Sequence, residues 1–372
     1  MPFGSEGVEE GIALAMSGGG FRATLFHVGT LWRLNEMGVL KKLNRISSVS
    51  GGSITSGVLG LAWKKLSFDG NGVATNFTDK VVAPLREFCS RNIDAPAIGE
   101  GAFLPGRKIS DVIIRKYKEH LFGEATLKDL PDEPRFVINA TNMQTGVTFR
   151  FSKPYMGDYR IGLRKNPDNL VAQAVAASSA FPPVLSPVIL ADPGVFEAVA
   201  GSDLSGNPTY TRTIWLSDGG VYDNMGLETV WNRYRTVLVS DAGAPAEPVE
   251  EPETAWHKQV LAAFDVATTQ CRSLRKRAII DEFNSGVRKG SYWGLRTDIK
   301  KYPIQDGLPV DPDKAEWVSK LRTRLNPFND EEQGRLINFG YALTDAALRA
   351  HCPGLPTAVS RAAWPVPGHD LS

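Results

Sequence analysis

Ser47-Ser48-Val49-Ser50-Gly51-Gly52-Ser53 is the stretch on which the reading of this chain turns. Arg45–Val49 reads as a short strand. Gly51–Lys65 reads as a helix that opens with small residues, which lets it approach neighbouring backbone closely. The turn between them would expose the Ser50 hydroxyl, because Ser48, Gly51 and Gly52 are small enough to let the backbone bend and a reactant approach. An ordinary strand–helix connector has the same composition. Upstream, Gly11–Met16 reads as a buried strand running into Ser17-Gly18-Gly19-Gly20-Phe21-Arg22. A helix follows from Thr24 to Met37, with apolar positions at Leu25, Val28, Leu31, Trp32 and Leu34. Consecutive glycines at a helix start present unhindered N–H groups that carry partial positive charge. A phosphate loop would use the same groups. However, no Walker lysine follows, and Ala23 occupies the last glycine of Gly-x-Gly-x-x-Gly.

A serine hydroxyl needs a base for its proton and donors for the charge that develops as it attacks. Asp218-Gly219-Gly220 ends the apolar run Ile214–Ser217, where a side chain would project into the crevice of an α/β sheet. Burial would raise that carboxylate's affinity for a proton. Asp223, five residues on, is a second carboxylate, more naturally structural. His257 and His351 follow Ser50 and Asp218 in the chain order of an α/β-hydrolase triad. Neither carries a local catalytic signature, and His27 falls on a helix that reads as packed. Arg22 could orient the glycine turn, meet an anionic head group or simply hold the turn in place.

The remaining chain supports one α/β unit. Arg135–Thr141 and Val147–Phe151 read as strands joined by a short turn, and Thr236–Ser240 as another core strand. Leu170–Ser179 reads as an Ala-rich helix stopped by Pro182-Pro183. Trp256–Asn284 and Asn329–Ala350 read as long helices, the second with a capping box from Asn329 to Glu332. Residues 66–110 are broken by glycine and proline and read as an irregular insertion over the sheet, with Phe103-Leu104 as a lid tip or an inward anchor. Residues 244–253 read as a Pro/Glu-rich surface loop. The cluster Arg272-Ser273-Leu274-Arg275-Lys276-Arg277 reads as a solvated face, with contact to an anionic lipid or a regulatory nucleotide as the alternative, and Tyr292-Trp293 fits either the core or a channel. The formal net charge is +1, which gives no global field for nucleic acid. Cys89, Cys271 and Cys352 lack metal-ligand spacing and read as reduced thiols of a cytoplasmic protein. The acidic N-terminus has no secretory pattern, and no run of about 18 apolar residues occurs, so any membrane contact would be at the surface.

Together, Gly18-Gly19-Gly20-Phe21-Arg22, Ser48-Val49-Ser50-Gly51-Gly52 and Asp218-Gly219-Gly220 resemble the motifs of the patatin-like phospholipase family. Ala176–Pro183 is similar to that family's Ala/Ser-rich helix ending in proline, and Tyr222-Asp223-Asn224-Met225-Gly226 to its extension beyond Asp-Gly-Gly. The resemblance spans roughly residues 11–230. Ser48 stands where a glycine is usual, Ala23 replaces a frequent glycine, and Ser17 precedes the triplet. The resemblance implies a three-layer α/β sandwich with a central, mainly parallel sheet, forming a single catalytic domain over 1–372 with a C-terminal helical part from about 254. It further implies a Ser50–Asp218 dyad, oxyanion donors from Gly18, Gly19 and Gly20, substrate contacts at Arg22 and Gly51, and no cofactor or metal. The implied substrate is a phospholipid or other acyl ester, met during transient association with a membrane surface. A ligand-switched effector needing a small-molecule or protein activator, and a nucleotide-binding regulatory domain, are the alternatives.

Overall fold

The computed structural model describes residues 7–94, 109–243, 248–358 and 361–372. Its first turns follow the sequence closely: β1 is Glu9–Met16, α1 is Gly20–Glu36, β2 is Arg45–Val49 and α2 is Gly51–Ala62. Then come α3 (Ala83–Cys89), α4 (Ile109–Tyr117), β3 (Arg135–Asn142), β4 (Val147–Phe151), β5 (Tyr155–Asp158) and β6 (Gly162–Lys165). Next are α5 (Val171–Ser178), β7 (Val188–Ala191), β8 (Thr213–Asp218) and β9 (Tyr234–Asp241). The chain closes with α6 (Trp256–Asn284), β10 (Lys289–Gly294), α7 (Pro312–Ser319) and α8 (Asp330–His351).

One mixed sheet runs β10-β9-β1-β2-β3-β4-β5-β6, and its stretch from β10 to β3 is parallel. Ala13 to Met16 and all of β2 are buried, as strands covered on both faces must be. The antiparallel part matters most for the site. β4 takes one edge of β3 over Ile138–Asn142, so β2 and β8 share the other edge. β2 reaches Asn139, and β8 comes from the opposite direction as far as Ala140. The two strands therefore meet end to end, and both must leave the sheet at the same place. Ser50 begins one exit and Asp218 the other.

The C-terminal part is not purely helical, because β10 extends the sheet beside β9 and places Trp293 in the core. α8 packs across α1 at backbone distance: a Cβ on Gly29 would lie 1.9 Å from the Ile337 carbonyl oxygen, and one on Gly340 2.1 Å from that of Phe26. Arg33 of α1 adds a buried pair of bonds to Asp345 Oδ1, at 2.9 and 2.7 Å. Residues 66–94 also differ from the expected insertion. Val81, Val82, Leu85 and Phe88 are buried in the main core, with the Phe88 ring 5.3 Å from that of Phe21. Phe103 and Leu104 lie outside the described residues.

Candidate active site

Ser50 is the residue between β2 and α2, and its backbone sits at φ 51°, ψ −120°. That conformation costs a non-glycine residue of the order of 1–3 kcal/mol. Its surroundings hold it there. The Ser50 N–H donates to Ser178 Oγ at 3.0 Å, and Ser178 Oγ donates to the Asn139 carbonyl at 2.6 Å. The Ser178 carbonyl accepts from Gly219 N–H at 3.2 Å, while the Ala180 carbonyl accepts from Asp218 N–H at 2.9 Å. The end of α5 thus fixes both exits from the sheet. Ser178 was not singled out from the sequence; its role depends on partners 39 and 128 residues away.

Asp218 is 2% exposed; its carboxylate accepts a hydrogen bond from Gly220 N–H at 2.6 Å and has the Ser50 side chain close enough to pull its pKa down. Burial pushes its pKa up to about 7, against the downward pull of those two neighbours. A carboxylate poised near neutrality beside a serine hydroxyl can exchange a proton with it at ordinary pH.

The glycine turn presses against this pair. Gly19 and Gly20 have φ of 142° and 59°, which side chains rarely adopt. Among the described residues their two N–H groups have no hydrogen-bond partner, whereas the Phe21 N–H donates to the Arg324 carbonyl at 3.1 Å. The expected trio of oxyanion donors must be corrected at Gly18. Its N–H is already donated to the Asn224 carbonyl, 3.0 Å away. Gly18 supplies clearance instead: a Cβ there would lie 2.9 Å from Ser50 Cβ.

Two further expectations are corrected. Gly51 does not line the cavity; a Cβ on it would lie 2.0 Å from the Gly20 carbonyl oxygen, so it sets the spacing between the two turns. Arg22 reaches the cavity wall but is 2% exposed, and its Nη1 and Nη2 donate to the Leu321 and Ala242 carbonyls at 2.7 and 3.0 Å. It therefore positions the turn from behind. The basic cluster on α6 is likewise not simply solvated. Arg272 holds buried Asp241 and the Gly243 carbonyl, and Arg275 holds Glu228.

The cavity in front of Ser50 has a volume of about 690 Å³, enough for a medium-sized organic ligand. Gly18–Gly20, Ser50 and Asp218 form its floor, Phe181 and Leu185 give apolar wall, and α6 contributes Thr268 and Arg272. No histidine lines it among the described residues. Fully buried His27 has its pKa lowered to about 4 by burial; its Nε2 donates to the Ser17 carbonyl and its Nδ1 accepts from Ser240. Asp223 caps a loop, accepting from Met225 N–H at 3.2 Å and Glu228 N–H at 2.9 Å. Among the described residues no three His, Cys, Asp or Glu side chains converge in a way that could hold a metal ion.

Residues 14–231 match the family described as patatin-like phospholipase. The chain belongs to that family. No curated protein sequence matches it closely. Among solved structures, this patatin-like chain shares its fold with human GIVD cytosolic phospholipase A2. In the complex with methyl gamma-linolenyl fluorophosphonate the TM-score is 0.50 at 14% identity, covering 94% of this chain and 60% of that one. In the complex that also holds terbium chloride the score is 0.51 at 14% identity, covering 91% and 57%. VipD from Legionella pneumophila gives 0.38 at 17% identity, covering 92% and 67%. The patatin-like chain therefore spans about 57–60% of the length of those two phospholipase A2 chains.

Proposed function

We propose that this chain is a serine lipid acyl hydrolase of phospholipase A type, cleaving acyl esters of phospholipids at a membrane surface. The observation that carries the reading is the Ser50 hydroxyl beside a buried carboxylate with a pKa near 7, next to two glycine N–H groups that have no partner among the described residues. Ser50 Oγ attacks the ester carbonyl carbon while Asp218 takes its proton. The carbonyl oxygen, now negative, is received by Gly19 and Gly20 N–H, with the positive ends of α1 and α2 directed at it. Asp218 then returns the proton to the departing alcohol oxygen, leaving the acyl group on Ser50. In the second half Asp218 deprotonates a water that attacks the acyl carbon, and Ser50 regains its proton as the fatty acid leaves.

Among the described residues no helix is long and apolar enough to cross a membrane, which agrees with a chain that meets its lipid from one side. The nucleotide-binding alternative finds less support, because Arg22, the cation following the glycine turn, is buried on two carbonyls. Release of fatty acid from phospholipid vesicles tests the proposal. Ser50→Ala is expected to lower turnover by about 10³-fold or more with no loss of fold. Near-native release by that variant rejects the assignment.

A further inference from the structure

α6 is anchored on one side and bare on the other. Of its 29 residues Ile279 alone is fully buried, and the helix is held by Arg272 on Asp241, Arg275 on Glu228, Lys276 over the Tyr292 ring and the packing of Ile279, Ile280 and Phe283 against the apolar cluster under β9. On the opposite side, Trp256, Val260, Ala263, Ala267, Cys271, Leu274 and Ala278 follow one another at intervals of three or four residues, and all seven are exposed. That spacing is one continuous helix stripe, about 33 Å long at 1.5 Å per residue. Trp256 is 79% exposed, Val260 60% and Leu274 52%. A stripe this apolar and this open on a water-soluble surface calls for a cover.

The order of sizes says which cover. About Ala267 the stripe is symmetric: Ala263 and Cys271 stand four residues either side, Val260 and Leu274 seven, Trp256 and Ala278 eleven. An antiparallel helix pair related by a two-fold axis through Ala267 brings those positions opposite one another. Small residues then lie at the centre, where two backbones can approach to about 8 Å, and the large Trp256 faces the small Ala278. Val260 meets Leu274 on both sides. A helix lying in a lipid interface would show a Lys/Arg-rich border and bulky residues along its length. Here that border is Gln259, Val266, Gln270, Ser273 and Arg277, with one basic residue among the five, and the middle is Ala-Ala-Cys.

We infer that the outer face of α6 is the site at which a second copy of this chain docks, antiparallel and isologous about Ala267. One helix pair is at the low end of specific interfaces, so the dimer should form with concentration, between roughly 1 and 100 µM. The test uses the full chain. Sedimentation velocity should show monomer passing to dimer over that range, and Val260→Glu with Leu274→Glu should abolish the dimer without changing the circular dichroism. Cysteine pairing reads the register directly, because Cys89 and Cys352 are buried and Cys271 is exposed. Under mild oxidation Ala263→Cys should cross-link to Cys271 of the second copy. Ala267→Cys should cross-link to itself in a Cys271→Ser background, and Ser273→Cys in that background should not.

Persistence of the monomer to about 100 µM, together with no register-dependent cross-link, overturns the inference. So does binding of monomeric chain to phosphatidylcholine vesicles that Val260→Glu removes, since the stripe would then belong to lipid. Neither result bears on Ser50, whose assignment rests on the hydrolysis measurements.

Discussion

Two helices wall the same cavity and are held by different physics. α1 has fourteen of its seventeen residues buried and is fixed by backbone approaching backbone, at Gly29 against Ile337 and through Gly20 against Gly51. α6 has one fully buried residue and is fixed by ion pairs, with Arg272 2.7 Å from the buried Asp241, and by a small apolar patch in which Phe283 meets Trp231. Packing in which an added Cβ would fall about 2 Å from a carbonyl oxygen tolerates no added atom, whereas an ion pair can be weakened by degrees. The floor of the cavity, where charge would develop, is built the first way. Its outer wall is built the second way.

That contrast can be broken at several points. The largest effect is expected from Gly29→Val. Its Cβ would sit 1.9 Å from a carbonyl oxygen in the α1–α8 crossing, so loss of soluble folded protein, or more than about 4 kcal/mol in urea unfolding, should follow. Survival with a near-native midpoint would mean the crossing is looser than described. Next comes Asp218→Asn. The folded pKa of about 7 lies above the ordinary 3.8, so the stability this group contributes is fully present below pH 4 and is lost as pH rises through 7. The asparagine variant should therefore be more stable than the parent at pH 8, by the order of 2–4 kcal/mol, and gain nothing at pH 4. Equal melting at pH 8 would remove the buried-carboxylate argument.

Arg272→Ala is expected to be milder. Burial alone would raise the Asp241 carboxyl, but Arg272, the Tyr292 hydroxyl and Gly243 N–H together hold it below its ordinary range. Removing the guanidinium leaves the other two donors, so about 2 kcal/mol of stability should go. Because Asp241 leads into Ala242, whose carbonyl holds Arg22, reaction of Ser50 should slow by about tenfold as well. Unchanged reactivity would uncouple α6 from the glycine turn. The smallest effect belongs to Val266→Ser, 64% exposed on α6, expected to stay within about 0.5 kcal/mol of the parent.

The same contrast explains what could be read from the sequence. β1, β2, α1 and α2 were legible because buried strands, helix periodicity and glycine turns are local signals. So were the candidate nucleophile and base, each at a strand end marked by glycines. The orientation of β8 was not legible, since its antiparallel approach to β3 is set by tertiary pairing. Nor was the donation of the Gly18 N–H to Asn224, a partner more than two hundred residues away. The cluster at 272–277 looked solvated because charge runs usually are; its carboxylate partners Asp241 and Glu228 lie on other elements. β10 was hidden by its composition, with Gly290, Ser291 and Gly294 diluting the strand signal.

The central claim is that Ser50 reacts because Asp218, ionising near pH 7, can take its proton. The direct measurement is the rate at which a fluorophosphonate modifies the chain between about pH 5 and 9, with the adduct mapped to a peptide. We expect the adduct on Ser50 at a rate that climbs about tenfold per pH unit below 7 and levels off above it. In Asp218→Asn that inflection should vanish and the rate should fall. An adduct elsewhere, or a Ser50 rate indifferent to pH across this range, would contradict the account.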